Sequence, residues 1–206
     1  LRKPHGFMAR KVGERMNAVN RSLYQGAWEA LDLRDGMRVL EIGFGNGRFF
    51  GELIGQAKDL KLHGLDFSKE MVEQASAQNA ALIANGTLSL SLGPSDRMPY
   101  PDALFDRIFC INVVYFWDDP ATHLGEVRRV LKPGGTFITV LRTRSSMEKL
   151  PFADHGFTKY EKVDWEQVLR ANGFIPSATT VLREAEVEFL GSRFTPESLV
   201  MTASVA

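Results

Sequence analysis

The sequence has very little cysteine and no net charge. Cys110 is the single cysteine among 206 residues, which excludes an internal disulfide and favours a reducing compartment. A structural zinc site is not expected either, because Cys110 has no second thiol near it and the four histidines are scattered. Lysine plus arginine and aspartate plus glutamate number 25 each, without a long basic run. This balance argues against binding to nucleic acid or to an anionic membrane surface.

Long hydrophobic runs are also missing. No stretch approaches the roughly 20 apolar residues that cross a bilayer. The basic segment Leu1–His5 is not followed by the apolar core of a secretory signal. We therefore expect a cytoplasmic protein with no membrane partner. The chain is long enough to bury a real core, as one domain or one domain with an appendage.

Apolar patterns of strand and helix alternate through the middle of the chain. Five strands are predicted, at residues 38–42, 60–66, 87–92, 105–114 and 136–141. Helices are predicted between them. One begins at the N-cap Ser68 and ends near Asn85, and another begins at Asp119-Pro120 and ends before Lys132–Gly135. This alternation predicts an α/β protein with a doubly wound, mostly parallel sheet.

The two ends of the chain depart from this alternation. Residues 1–34 carry amphipathic helical patterns and are predicted to form an N-terminal lid on the domain formed by residues 35–206. Near the C-terminus, a short helix is expected from Asp164 to Asn172. The β-like runs Ala178–Arg183 and Leu199–Val205 have no convincing helix between them, so we expect them to pair antiparallel at the sheet edge.

A carboxylate and three glycines follow one another at the end of the first predicted strand. Glu41 lies in an otherwise apolar strand, where a buried carboxylate is costly unless it has a partner. Gly43, Gly45 and Gly47 allow a sharp turn and let a ligand approach the main chain. Because ligands of open α/β sheets bind outside the carboxyl ends of the strands, this turn predicts a cofactor site.

Two cofactors are compatible with a glycine turn of this kind. The dinucleotide fingerprint needs a third glycine at the position where this chain has Arg48, which counts against NAD. Glu41 would repel a pyrophosphate but can pair with a ligand amine or cation. Asp66, at the end of the second strand, can accept both hydroxyls of a ribose. A ligand with a ribose and an amino-acid cation suits both acids, and S-adenosylmethionine is such a ligand.

Four successive segments resemble the motifs of class I S-adenosylmethionine-dependent methyltransferases. These segments are Val39–Phe49, Leu65–Met71, Met98–Asp102 with Phe105-Asp106, and Leu131–Gly135. The resemblance covers about residues 38–141 and is strongest to the small-molecule branch that includes the quinone-biosynthesis enzymes. It implies a seven-stranded Rossmann-like fold, S-adenosylmethionine as cofactor and a small-molecule methyl acceptor.

The resemblance also implies which residues bind the cofactor. It assigns the turn that carries Glu41, Gly43, Phe44, Gly45 and Gly47 to the methionine part of the cofactor. It assigns Asp66 to the ribose hydroxyls. The adenine is assigned to Phe67 and Met71 on its faces and to Ser95, Asp96 and Arg97 at its edge.

Pro94 is a departure from the family pattern. The family usually has Gly-Asp at the end of the third strand, with the acid on the adenine amino group, whereas this chain has Gly93-Pro94. Either Asp96 takes over that contact, or backbone groups around Ser95 and Asp96 recognise the adenine alone.

The acceptor side is expected after the fourth strand and in two further segments. Asn112 either binds the amino-acid part of the cofactor or the acceptor. The rings of Tyr115, Phe116 and Trp117 either surround the cationic methyl group, an attraction of about 0.5–2 kcal/mol, or cap the core. His155 is either a general base or a surface histidine. Candidate contacts of the lid, for which simple packing or solvation is the favoured alternative, are His5, Met16, Asn17, Asn20 and Tyr24.

Methyl transfer needs no diagnostic catalytic residue, because positioning and exclusion of water lower most of the barrier. Two alternatives to a methyltransferase therefore stay open, an NAD-dependent oxidoreductase and a non-catalytic S-adenosylmethionine-binding protein.

Arg142 either pairs with an anionic group of the substrate or caps the sheet. Cys110, within an apolar strand, is expected to be a small buried hydrophobe.

Overall fold

The computed structural model describes residues 20–149, 158–184, 186–189 and 192–205. The strands are β1 Arg38–Ile42, β2 Lys61–Asp66, β3 Leu88–Leu92, β4 Phe105–Ile111, β5 Leu131–Arg142, β6 Phe174–Arg183, β7 Val187–Phe189, β8 Ser192–Phe194 and β9 Glu197–Val205. The helices are α1 (residues 20–31), α2 Phe50–Leu53, α3 Lys69–Gln78, α4 Ala80–Ala84, α5 Pro120–Val130, α6 Arg144–Met147 and α7 Lys162–Ala171. Within these ranges, none of the helices is both long and apolar enough to span a membrane.

Seven strands form one sheet in the order β3-β2-β1-β4-β5-β9-β6. The first five strands run parallel, and β9 lies antiparallel between β5 and β6. The predicted α/β fold with an antiparallel pair at the edge is confirmed, with β6 as the outermost strand. Strand order reverses between β1 and β4, so the carboxyl ends of these two strands mark the place where doubly wound sheets bind ligands.

Both faces of the sheet are covered by helices. On one face, Leu40 of β1 packs in a cluster with apolar residues of α5 and α7, among them Leu124 and Trp165. On the other face, Val39 packs in a cluster with Leu23 and other residues of α1 and α2. Since side chains alternate along a strand, Glu41 lies on the same face as Val39 and therefore faces α1.

Helix α1 is fixed to the sheet by a buried arginine. The Nε of Arg107 in β4 donates to the carbonyl oxygen of Leu31 at 2.6 Å, and its Nη2 donates to the carbonyl oxygen of Asp32 at 3.4 Å. A cation at this helix end satisfies carbonyl groups that have no partner within the helix. Helix α1 thus shares its core with the sheet. The lid role of residues 1–34 stays a prediction, because residues 1–19 lie outside the described part of the chain.

Several element boundaries differ from their predictions. Strand β5 begins at Leu131, which pairs with Phe105, so the segment Lys132–Gly135 that was predicted to end the helix belongs to the strand. The predicted helix 69–84 breaks at Asn79 into α3 and α4. Strand β4 ends at Ile111 rather than residue 114, because Asn112 adopts a left-handed conformation with φ +57°. Each difference follows from a contact or a backbone turn that hydrophobic periodicity does not encode.

Candidate functional site

The predicted site residues of β1, β2 and β4 lie at neighbouring strand ends. The backbone N–H of Gly43, just after β1, donates to the carbonyl oxygen of Leu65 at 2.7 Å. The N–H of Gly45 donates to the Oδ2 of Asp66 at 3.0 Å. The N–H of Asn112, just after β4, donates to the carbonyl oxygen of Val140 at 2.8 Å. The glycine turn and the two polar side chains therefore share one edge of the sheet.

The three glycines of the turn all have left-handed backbone conformations but face different surroundings. The φ angles of Gly43, Gly45 and Gly47 are +74°, +58° and +68°. A Cβ on Gly43 would lie 2.4 Å from a methyl group of Val113, and one on Gly47 would lie 2.7 Å from the Cβ of Ala75. A Cβ on Gly45 would meet nothing within 4 Å. Packing thus requires glycine at 43 and 47, whereas the space at Gly45 is open to a ligand.

Asp66 is 6% exposed and held by the backbone. Its Oδ2 accepts from Gly45, and its Oδ1 accepts from the N–H of Ser68 at 2.9 Å. Burial raises the pKa of Asp66, although the backbone N–H groups of Ser68, Gly45 and Phe67 oppose the shift. The carboxylate is therefore fixed in orientation, with lone pairs left to accept hydroxyl donors.

Glu41 is 3% exposed and finds its partner on α1. The hydroxyl of Tyr24 donates to Oε1 of Glu41 at 2.6 Å, and the Tyr24 ring stacks on Phe49 at 4.0 Å between centroids. Burial raises the pKa of Glu41 to about 8, with a further rise from Asp66, while the bond from Tyr24 lowers it. Tyr24, a candidate contact of the acceptor, thus supplies the partner that a buried Glu41 needs.

The free energy of unfolding is expected to fall as pH rises from about 5 to 8, because Glu41 ionises in the unfolded chain near pH 4.3 but in the folded protein only near 8. The folded state holds the extra proton across this window, so each pH unit lowers stability by up to about 1.4 kcal/mol. Urea unfolding of wild type and Glu41→Gln between pH 5.5 and 8.5 measures the effect. The variant should show the flatter profile, and equal slopes would contradict this assignment.

The aromatic and apolar candidates near the turn divide between core and surface. The ring of Phe44 is buried beneath the turn, against Gly64 and 5.5 Å from Phe50, so its side chain anchors the turn from inside. Met71 is half-buried in the first turn of α3. Phe67 is 42% exposed. It lies beside a surface pocket of about 560 Å³, whose further lining residues are Ser68, Lys69, Glu70, Glu73, Leu92, Gly93 and Pro94.

The segment at the predicted adenine edge contacts a histidine that had no predicted function. The Oγ of Ser95 lies 2.8 Å from Nδ1 of His123, and the His123 ring stacks on Trp117 at 4.8 Å. Asp96 and Arg97 are exposed. His123 therefore links the segment after β3 to the segment after β4. The sequence predicts that His123 lies in a helix, but nothing in it indicates the contacts with Ser95 and Trp117.

The rings of Tyr115 and Trp117 lie in the core. Tyr115 is 5% exposed, and its hydroxyl bonds to Asn112 and to the main chain of Arg142. Trp117 is 2% exposed, between His123 and Trp165. Both rings pack in the core, and contact of either ring with the methyl group stays a prediction. The Phe116 ring is half-buried.

The guanidinium of Arg142 has an internal partner. It forms a two-pronged ion pair with Glu184 after β6, whose Oε1 also accepts from the Oγ of Ser198 at 2.8 Å. This ties the ends of β5, β6 and β9 together, so capping of the sheet describes Arg142. Cys110 is fully buried, and burial raises the pKa of its thiol, as expected for a small hydrophobe.

The remaining acceptor-side candidates receive little structural information. Asn20, the first described residue, is half-buried in α1. His5, Met16, Asn17 and His155 lie outside the described residues. Within the described ranges, no group of three His, Cys, Asp or Glu side chains is arranged to hold a metal ion.

The third motif is held by an arginine and a glutamate that the sequence did not single out. The guanidinium of Arg129 donates to the carbonyl oxygens of Met98 and Tyr100, at 3.1 and 2.7 Å, and to Asp102 at 2.8 Å. Glu126 pairs with Arg129 and accepts from the N–H of Met98 at 2.7 Å. The i,i+3 spacing of Glu126 and Arg129 on α5 predicts that they form an ion pair, but it does not predict that the pair binds the loop around Met98.

Comparison with known proteins supports the resemblance. A family model described as a methyltransferase domain matches residues 40–139. An uncharacterised methyltransferase of Bacillus subtilis, YdaC, is 28% identical over 135 residues, covering 66% of this chain and 72% of the relative. A demethylmenaquinone methyltransferase of Symbiobacterium thermophilum is 30% identical over 169 residues, covering 75% of this chain and 66% of the relative. The chain spans 64%, 31% and 49% of three further curated relatives.

The fold is shared with solved methyltransferase structures. A SAM-dependent methyltransferase from Aquifex aeolicus superposes with a TM-score of 0.72 at 19% identity, covering 96% of this chain and 99% of that one. At this identity the likeness concerns the fold, while the ordered motifs and the matched domain concern the family. Residues 40–139 are therefore a methyltransferase domain, and the comparisons support the class I S-adenosylmethionine-dependent methyltransferases as the family and S-adenosylmethionine as the cofactor.

Proposed function

We propose that the protein transfers the methyl group of S-adenosylmethionine to a small-molecule acceptor. A lone pair of the acceptor atom forms the new bond to the methyl carbon as the carbon–sulfur bond breaks. S-adenosylhomocysteine leaves, and the acceptor loses any excess proton to solvent. The observation that carries the proposal is the meeting of the glycine turn, Glu41, Asp66 and Asn112 at the strand ends where sheet order reverses.

The proposed cofactor contacts follow from the chemistry of these groups. Asp66 accepts the ribose hydroxyls. Glu41 faces the amino-acid cation from behind the turn, and that cation favours the ionised form of Glu41 and so lowers its pKa when the cofactor is bound. The open space at Gly45 lets the cofactor approach the main chain. Exposed Phe67 offers an apolar face to the adenine. The edge of the adenine is assigned either to the exposed Asp96 or to backbone groups around Ser95 and Asp96, because the Ser95 hydroxyl already bonds to His123.

A small acceptor is favoured over a macromolecule on two grounds. The chain has as many acidic as basic residues, which gives it no long-range attraction for nucleic acid. One relative carries the name demethylmenaquinone methyltransferase, in agreement with the resemblance to the quinone-biosynthesis branch. Residues 1–34 are proposed to cover the acceptor, and a reducing cytoplasm is proposed from the single buried cysteine.

Calorimetry with S-adenosylmethionine, S-adenosylhomocysteine and NAD tests the cofactor site. Micromolar binding of the first two and no binding of NAD are expected. The dinucleotide fingerprint is incomplete at Arg48, and the domain match names a methyltransferase. Binding of NAD without either sulfur compound would overturn the proposal in favour of an oxidoreductase.

A transfer assay with radiolabelled methyl donor tests the reaction itself. Phenol, quinol, amine and carboxylate acceptors form the panel, and transfer to one class above the rate without enzyme is expected. An Asp66→Ala variant serves as the control without a cofactor site. Tight cofactor binding with no transfer to any class would favour the non-catalytic binding protein instead.

A further inference from the structure

Asn112 adopts a backbone conformation that is uncommon for a residue with a side chain. Its φ is +57°, in the left-handed region, while its N–H remains bonded to Val140. The turn brings the next residue, Val113, directly against Gly43 of the glycine turn. Asn112 is thereby held between the end of β4 and the turn assigned to the methionine part of the cofactor. Strain of this kind persists where surrounding contacts fix it and is concentrated at functional sites.

The hydroxyl of Tyr115 determines which way the Asn112 amide faces. This hydroxyl accepts the backbone N–H of Arg142, so its single hydrogen is left to donate. Oδ1 of Asn112 lies 3.1 Å away, closer than the carbonyl oxygen of Arg142 at 3.3 Å. Burial raises the pKa of the Tyr115 hydroxyl, so it stays protonated and remains a donor. In the structure the amide atom that meets Tyr115 is the oxygen, which accepts from the hydroxyl.

The consequence is an amide nitrogen with two hydrogens directed away from Tyr115. Among the described residues this Nδ2 has no hydrogen-bond partner, and Asn112 is half-buried. The glycine turn lies next to it, through the contact of Val113 with Gly43. A fixed N–H donor at this place suits an anionic oxygen, and the methionine part of the cofactor carries a carboxylate.

We propose that Tyr115 is a positioning residue that orients the Asn112 amide so that Nδ2 donates to the cofactor carboxylate. The inference rests on the proposed cofactor site. Tyr115 acts through Asn112 and does not touch the ligand. Its ring belongs to the core, and its hydroxyl belongs to the site.

The test compares two ligands that differ in the amino-acid part, which carries the carboxylate. S-adenosylhomocysteine has the whole amino-acid part, whereas 5′-methylthioadenosine lacks it. Tyr115→Phe keeps the ring and removes the hydroxyl. It is expected to weaken the binding of S-adenosylhomocysteine by about 5- to 10-fold, which corresponds to the loss of one hydrogen bond. The affinity for 5′-methylthioadenosine should stay within about twofold of wild type. Tyr160→Phe, which removes the hydroxyl of another buried tyrosine, is the matched control and should leave the affinity for both ligands unchanged.

A double-mutant cycle with Asn112→Ala separates positioning from a structural role. If Tyr115 acts through Asn112, the double variant should bind S-adenosylhomocysteine as weakly as Asn112→Ala alone. Additive losses, or equal weakening of both ligands by Tyr115→Phe, would overturn the inference. So would unchanged S-adenosylhomocysteine affinity with a raised KM for the acceptor. In those cases the proposed function stands, whereas wild type that binds neither ligand would overturn that function itself.

Discussion

Replacing Asp66 by alanine is expected to weaken binding of S-adenosylhomocysteine by at least about 100-fold. Hydrogen bonds to a charged group are worth about 1.5–3 kcal/mol each, and the variant loses those to two ribose hydroxyls. It also frees the N–H of Gly45, which Asp66 holds at 3.0 Å, so the glycine turn loses an anchor. Calorimetric dissociation constants of the two proteins give the ratio directly.

The Asp66→Ala result needs a control for lost stability, because the backbone N–H groups of Gly45 and Ser68 lose their acceptor. Asp106→Ala provides it. Asp106 also accepts a backbone N–H, from Arg38 at 2.8 Å, but at the amino end of the sheet, opposite the site. Both variants should unfold at lower temperature than wild type, and only Asp66→Ala should lose the ligand. A similar loss of affinity in both would mean that the carboxylate acts through stability alone.

Replacing Gly45 by alanine is expected to weaken binding of the cofactor by about 10-fold or more while the protein stays folded. The left-handed conformation at φ +58° costs an alanine about 1–2 kcal/mol. No protein atom lies within 4 Å of the added methyl group, so the fold can absorb it. The methyl group would instead occupy the space through which a ligand approaches the turn. Calorimetry and thermal unfolding measure the two effects separately.

Gly36→Ala is the matched control for that experiment. Gly36 has φ +76° and equally open surroundings, but it precedes β1 and so lies at the opposite end of the sheet. The two variants should lose similar stability, and the affinity should fall for Gly45→Ala alone. Unchanged affinity in Gly45→Ala would exclude a close approach of the cofactor at this residue.

Much of the fold was predictable because its signals are local. The alternation of apolar runs with capped helices gave the parallel strands, and Ser68 and Asp119 cap the helices that they were predicted to begin. The boundaries that differ depend on distant partners. Asn79 breaks its helix while its side chain bonds to Gly47, 32 residues away. A helical pattern cannot anticipate such a bond.

The candidate site divides in the same way. The glycine turn and Asp66 were found because a left-handed turn and a carboxylate at a strand end are features of consecutive residues. For Tyr115, Trp117 and Arg142 the sequence left two roles open, a contact with a ligand and a structural contact. For an aromatic ring or a long cation, the same sequence pattern fits a ligand contact and a core contact, and only packing distinguishes them.

By itself the sequence determined the order of strands, helices and glycine turns, and the resemblance of its four ordered motifs implied the family and the cofactor, because all of these signals lie in neighbouring residues. The tertiary structure decided which side chains meet. It joined Tyr24 to Glu41 across 17 residues and Arg142 to Glu184 across 42. It also turned the hydroxyl of Tyr115 toward Asn112. Such pairings depend on how α1, β5 and β6 pack around one sheet, since a buried charge or hydroxyl takes the partner that the fold brings within hydrogen-bond distance.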